Sequence, residues 1–345
     1  MKTITHLIYP AVKTATRKLI ITTVASLVAI GVTASAAPPP PGGGGTIYYT
    51  HACCRTMWAM NSDGSNQTSF GVGTYGPPSM VMYGGYRWFL HTVPITPQEF
   101  YPNGDQRVEV VALRQDWDWY VNDNSTTKIQ LTNDITLQAQ GDGLYSLHWV
   151  PGNKISFKAR RWSGPVVAEA GIYTATLQFG PDGSIAGLIA QPTTPAIAFP
   201  LDANQWPNVR SYGWDPTATK VAYDNSTALW VADIFGNPHQ RIYNTWTHTP
   251  QWSPDGTTIA FTNSSNGIST IRPNGTHLTE IIRRTSTYTF DRPYWSPTGS
   301  HIVCYGFNFT TNPIDDEIFR VTSTGNSLTN LTNTPSTAEY PMGWR

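Results

Sequence analysis

From Thr46 onward the chain is a succession of short apolar runs separated by clusters of Gly, Pro, Asn, Asp, Ser and Thr. Runs this short, closed by turn residues, predict β-strands. A helical pattern is confined to the first 36 residues. The runs also recur. Pro250, Trp252, Asp255, Gly256, Ile259 and Phe261 reappear as Pro293, Trp295, Thr298, Gly299, Ile302 and Cys304. A third copy carries Trp214, Val221 and Tyr223, and a fourth carries Trp149, Gly152, Ile155 and Phe157. A weaker copy runs from Tyr83 through Gly84 and Gly85 to Trp88 and Leu90, and the chain ends on Pro341 and Trp344.

The anchor residues stand 66, 65, 38, 43 and 49 residues apart. Each anchor segment reads strand, tight turn, strand, because Pro fixes φ and Gly accepts a positive one. A third strand and a second turn follow, as in Ile268–Gly275 and Ile318–Gly325, and then a short fourth strand such as Lys128–Thr132, Thr279–Ile282 or Leu328–Thr332. Four short antiparallel strands repeated at about 40 residues are the sequence form of a β-propeller blade. The segment from Thr46 matches a second strand with no first strand before it. The segment ending at Trp344 is a first strand with nothing after it. Joined, they complete one blade and leave no open edge. The expectation is all-β: a six-bladed propeller of four-stranded blades, closed by the C-terminal strand.

Ahead of the repeats, Lys13, Arg17 and Lys18 precede an apolar run from Leu19 to Val32, then Ala34, Ser35 and Ala36. That order reads as an export signal over residues 1–36. Fourteen apolar residues fall short of the roughly 20 that span a bilayer, and no Cys follows to carry lipid. Residues 37–45, with Pro38 to Pro41 and Gly42 to Gly45, read as a tether. Only 13% of residues are charged, and removal of the signal leaves 18 basic and 22 acidic residues. A net −4 without a polybasic block argues against nucleic acid and anionic membranes as partners.

The Pro-x-Trp-Ser-Pro-Asp-Gly unit running into Ile-Ala-Phe, with a following Leu-Thr strand, resembles the TolB-type propeller repeat over residues 46–345. The resemblance implies a periplasmic or secreted scaffold that binds a protein or peptide around its central mouth; a saccharide is a further candidate partner beside that resemblance. TolB-type proteins carry an α/β domain ahead of the propeller, where this chain has its Pro/Gly tether.

Searches for chemistry return little. Gly71, Gly73 and Gly76 fit a dinucleotide fingerprint, but Pro77 and Pro78 follow where a helix is needed. No nucleophile-elbow Ser and no zincin His pair occurs. The eight His have no metal-ligand spacing. Asp116, Asp118, Asn122, Asp123 and Asn124 lack the Gly and final Glu of a calcium loop. Asp315, Asp316 and Glu317 read as a solvated turn. Asn66, Asn124, Asn225, Asn263, Asn274, Asn308 and Asn330 fit the glycosylation pattern, with no modification expected in a bacterium. No cofactor and no metal are expected. Of three cysteines, Cys304 occupies a core aromatic position and is expected as a buried thiol. Cys53 and Cys54 are candidates for a vicinal disulfide, or one of them for a bridge to Cys304.

The residue four before each anchor recurs around one mouth of the channel. That rule nominates Tyr145, Arg210, His248, Asp291 and Tyr340, with Arg292 and Glu339 beside two of them, as partner-binding residues. Aromatic and Arg side chains of this kind carry most interface energy. The leading expectation is a non-catalytic scaffold that binds at this mouth. A propeller enzyme acting on polysaccharide or peptide, and a structural surface protein, are the alternatives.

Overall fold

The computed structural model describes residues 44–51, 56–72, 80–95, 97–114, 128–140, 146–201, 206–310, 315–334 and 337–345. The export segment, most of the tether, Tyr145, Cys53, Cys54 and the Asp116–Asn124 stretch lie outside them.

Every regular element is a strand, and the strands gather into six sheets. The N-terminal segment supplies β1 (Thr46–His51), β2 (Thr56–Asn61) and β3 (Thr68–Val72). Blade 1 is β4 (Met80–Tyr83), β5 (Tyr86–Pro94), β6 (Val108–Arg114) and β7 (Lys128–Gln130). Blade 2 is β8 (Leu137–Ala139), β9 (Leu147–Val150), β10 (Lys154–Ser163), β11 (Val166–Phe179), β12 (Ile185–Leu188) and β13 (Ile197–Ala198). Blade 3 is β14 (Ser211–Trp214), β15 (Lys220–Asp224), β16 (Leu229–Asp233) and β17 (Gln240–Tyr243). Blade 4 is β18 (His248–Trp252), β19 (Ile259–Thr262), β20 (Ile268–Ile271) and β21 (Thr279–Ile282). Blade 5 is β22 (Tyr288–Trp295), β23 (His301–Asn308), β24 (Glu317–Thr322) and β25 (Thr329–Asn330). The last strand, β26 (Glu339–Trp344), pairs antiparallel with β1, with Ile47 opposite Trp344 and His51 opposite Glu339. The two chain ends thus make blade 6, in the order β26-β1-β2-β3, and the ring closes as the repeat implied.

Blade 2 departs from the four-stranded expectation, with six strands. Its β10 and β11 pair along ten positions, so one half of the hairpin holds β9 and β12 while the other half recruits β8 and β13. The long anchor spacing after Trp149 holds this extension, and the one before it holds the long connections of blade 1 on either side of β6.

The core lies between the blades. Among the described residues, one apolar cluster sits at each of the six junctions. The junction of blades 4 and 5 packs Ile268 and Ile281 against Phe290, Ile302 and Phe319. Full burial of one such side chain contributes roughly 1.5–3 kcal/mol. Middle strands such as β19 and β20 are buried throughout and read as unbroken apolar runs. Outer strands such as β17 and β21 bury only part of their length.

Each repeated turn residue has a local cause. In the turn after Trp252, the Gly256 N–H donates to Ser253 O at 2.9 Å, and Gly256 has φ 70°. Ala218 takes that place in blade 3, also left-handed at φ 57°. In the second turn, a Cβ on Gly275 would stand 3.2 Å from the Ile242 carbonyl of the blade before, so the turn docks there only as glycine.

Candidate functional site

The first strands of blades 2 to 6 surround a central channel of about 560 Å³. Its two ends differ in chemistry. One end is ringed by Trp149, Trp214, Trp252, Trp295 and Trp344. Their indole N–H groups are committed to neighbours. Trp252 Nε1 donates to Gly213 O and Trp295 Nε1 to Gln251 O, each at 3.1 Å across a blade junction. Trp214 Nε1 reaches Ser156 Oγ at 2.8 Å, and Trp344 Nε1 reaches Gly44 O at 2.8 Å. Trp214, Trp252 and Trp295 therefore staple blade to blade, while Trp344 ties the two chain ends within blade 6.

The other end holds the polar residues of blades 3 to 5. Pro250 and Pro293 stand inside β18 and β22 and have no N–H to give to the ladder, and both strands are bulged there. At each bulge the residue before Pro is left-handed: Thr249 at φ 50° and Arg292 at φ 55°. A β-branched residue in this region is strained and needs its surroundings to hold it. The Thr249 N–H donates to Ser211 Oγ at 2.8 Å, and Ser211 in turn donates to the Asp224 carboxylate. Thr249 Oγ1 and Thr262 Oγ1 donate to Asp291 Oδ1 at 3.1 and 2.6 Å. One hydrogen-bonded chain thereby links blades 3, 4 and 5 beside the channel.

Charge within this chain is graded. Burial works to raise the Asp291 carboxyl, but His248, 3.5 Å away, with Arg292 and Thr262, holds it well below the usual carboxylate range. Burial pushes Asp224 the opposite way despite its bond to Ser211. The Arg292 guanidinium at the channel wall lies 5.6 Å from the Tyr305 ring and 5.3 Å from the Tyr340 ring, beside these two rings whose centroids are 4.9 Å apart. The Tyr305 hydroxyl donates to Asp316 at 2.5 Å, fixing that ring.

His248, Asp291, Arg292 and Tyr340 thus come together. Arg210 is exposed and joins them through Trp246: its guanidinium lies 5.8 Å from that ring, which stacks 6.1 Å from His248. Glu339 is elsewhere. It is 0% exposed in the blade 6 seam, with its carboxyl 3.7 Å from His51 Nε2, and offers no surface to a partner. Burial and the neighbouring Glu317 push its carboxyl up to about 8. Asp316 and Glu317 are also buried rather than solvated, because Asp316 accepts from Tyr305 and Glu317 from Thr332 at the end of the Leu-Thr strand. Cys304 is a buried free thiol and bridges to neither of the other cysteines. Counting back from the anchors missed Ser211, Asp224, Thr249, Thr262, Tyr305 and Trp246. The signal for Thr249 and Arg292 was the Pro of Pro-x-Trp, which reads as part of the repeat and also breaks the ladder. Among the described residues, no group of three His, Cys, Asp or Glu side chains is placed to hold a metal ion.

Comparison with solved structures returns propellers. A putative TolB from Agrobacterium tumefaciens is 14% identical, with TM-score 0.42, over 87% of this chain and 99% of that one. The six sheets themselves define the fold as a six-bladed β-propeller. An oligogalacturonate lyase in complex with manganese is 13% identical at TM-score 0.45, covering 85% of this chain and 74% of that one. A second oligogalacturonate lyase, from Vibrio parahaemolyticus, is 10% identical at TM-score 0.43, over 85% and 75% of the two chains. No protein-family model and no curated protein sequence matches. At these identities the likeness is one of architecture, which many activities share.

Proposed function

We propose that this TolB-like propeller is an exported, non-catalytic scaffold that holds a peptide segment of a protein partner at the polar mouth of its channel. The observation that supports this most is Arg292. It sits on strained, left-handed backbone at the channel wall, with its guanidinium against the adjacent rings of Tyr305 and Tyr340. Aromatic and Arg anchors in a fixed frame are what peptide recognition uses, and Arg210 on Trp246 extends the same surface. Backbone strain kept at such a place points to a use for it.

Display of random peptides against the immobilised propeller tests the reading. The paired substitution Arg292→Ala with Tyr340→Ala is the suitable probe, because Asp291 also ties blade 4 to blade 5. The expected result is a selected peptide whose affinity falls at least tenfold in the double variant while melting stays close to wild type. A peptide that binds the double variant unchanged places the site elsewhere.

A further inference from the structure

A second cavity, of about 560 Å³, lies where the extended end of blade 2 meets blade 3, away from the channel. Phe199 and Tyr223 are buried and form its floor, while Trp230 and His239 are half-buried walls. Trp230 and Tyr223 face each other across β15 and β16, with rings 14° from parallel and centroids 6.3 Å apart. The two near-parallel rings stand side by side in the cavity lining. Phe199 and His239 meet Tyr223 edge-on, at 79° and 75°. The Tyr223 hydroxyl is hydrogen-bonded to His239 Nδ1 at 2.9 Å, which fixes the imidazole upright at the rim and leaves Nε2 for another partner. Asn208 and Asn225 add amides at the edge, and the Asn225 carbonyl is held by Thr227 and Ala228, which orients its NH₂ group. The Trp230 indole N–H is shielded from solvent and has no acceptor among the described residues.

The residues lining this cavity include no Asp, Glu, Lys or Arg, although the Arg241 guanidinium lies 5.8 Å from the Trp230 ring and Asp233 acts on His239 from outside it. Burial lowers His239 below its ordinary value, against a smaller opposite pull from Asp233. A charged ligand would find no charged side chain in the lining itself and would lose hydration on entering. The site suits a neutral group with one flat apolar face and a rim of hydrogen-bonding groups. A sugar ring has that form: its C–H face lies on an aromatic surface and its hydroxyls meet amide and imidazole edges. We infer that this cavity is a binding site for a neutral saccharide, independent of the peptide site at the mouth. The volume falls within the range of small-molecule pockets. Only blade 2's extra strand β13 brings Ala198, Phe199 and Pro200 over blade 3, so the elaboration that breaks the four-stranded pattern is what builds the cavity.

The test is calorimetric titration of the full chain with a neutral β-linked glucan oligosaccharide and with its N-acetylated counterpart. A proline-rich peptide serves as the competing occupant. Saturable binding of either sugar is expected. It should weaken at least tenfold in Trp230→Ala and measurably in Asn225→Ala, and stay unchanged in Arg292→Ala. Trp230→Phe keeps the core contact and should bind between the two, so that loss of folding is told apart from loss of the platform. Absence of binding to both sugars overturns the assignment. So does unchanged affinity in Trp230→Ala, or saturation by the proline-rich peptide alone. Loss of peptide binding at the mouth in Arg292→Ala, with sugar binding intact, separates the fate of this site from that of the other.

Discussion

The two ends of the central channel are built from the same strands and obey different rules. At the Trp end blades 3, 4 and 5 contribute the same thing: an indole whose N–H bonds the preceding blade, followed by a Pro and a left-handed turn residue. At the polar mouth no two blades agree. Blade 3 offers Ser211, blade 4 a strained Thr249 and blade 5 a strained Arg292. Repetition marks what every blade needs in order to join the next. Departure from repetition, held in place by hydrogen bonds at the cost of strain, marks what only this protein needs.

The sharpest way to break the comparison is to open the ring. Deleting residues 339–345 removes β26, exposes the edge of β1 and strips Trp344 from the junction of blades 5 and 6. Cooperative thermal unfolding should be lost, as followed by calorimetry. An unchanged transition would mean that closure is not what holds the blades.

Substitution at one staple comes next. Trp252→Ala should cost about 3–5 kcal/mol in denaturant unfolding, the usual range for a large aromatic taken from a core. Trp252→Phe, which loses chiefly the bond to Gly213 O, should cost about 1 kcal/mol. Equal costs for the two would show that the hydrogen bond, not the packing, dominates.

Glu339 tests the blade 6 seam through pH. Its carboxyl titrates near 4.5 when unfolded and at about 8 when folded. The folded state therefore holds a proton that the unfolded chain releases. The stability this contributes is complete below pH 4.5, falls as pH rises toward 8 and is gone above it. Glu339→Gln should remove that part of the slope and leave the protein more stable at pH 8 by on the order of 2 kcal/mol. A variant that melts lower than wild type at pH 8 would show that the carboxylate has a partner in the seam.

The smallest effect is expected at the mouth. Arg292→Gly relieves a left-handed residue, worth roughly 1–2 kcal/mol, offset by the greater freedom of the unfolded chain, roughly 0.4–1 kcal/mol, and by loss of a cation–aromatic contact of about 0.5–1 kcal/mol. Stability should stay within about 1 kcal/mol while peptide affinity is lost. A large fall in stability would return Arg292 to the scaffold.

These differences also explain what could be read in the chain. Six blades, the closing seam and the turn chemistry follow from residues that recur, so Trp252 and Trp295 identify each other. The mouth was legible only as positions. Counting back from the anchors reached His248 and Asp291, but it also returned Glu339, which the seam buries. It could not reach Asp224 or Thr262, which come from second strands and meet the first strands only in three dimensions. The blade 2 elaboration left a trace in the anchor spacing, but nothing in that spacing says that β13 would cover blade 3.

Amide hydrogen exchange, with and without the best peptide from display, tests the division of labour most directly. Protection should grow at 248–250, 291–293 and 339–341, and stay unchanged in the turns at 214–218, 252–256 and 295–299. Protection that grows instead at the Trp turns would place binding at the end assigned to construction and contradict the account.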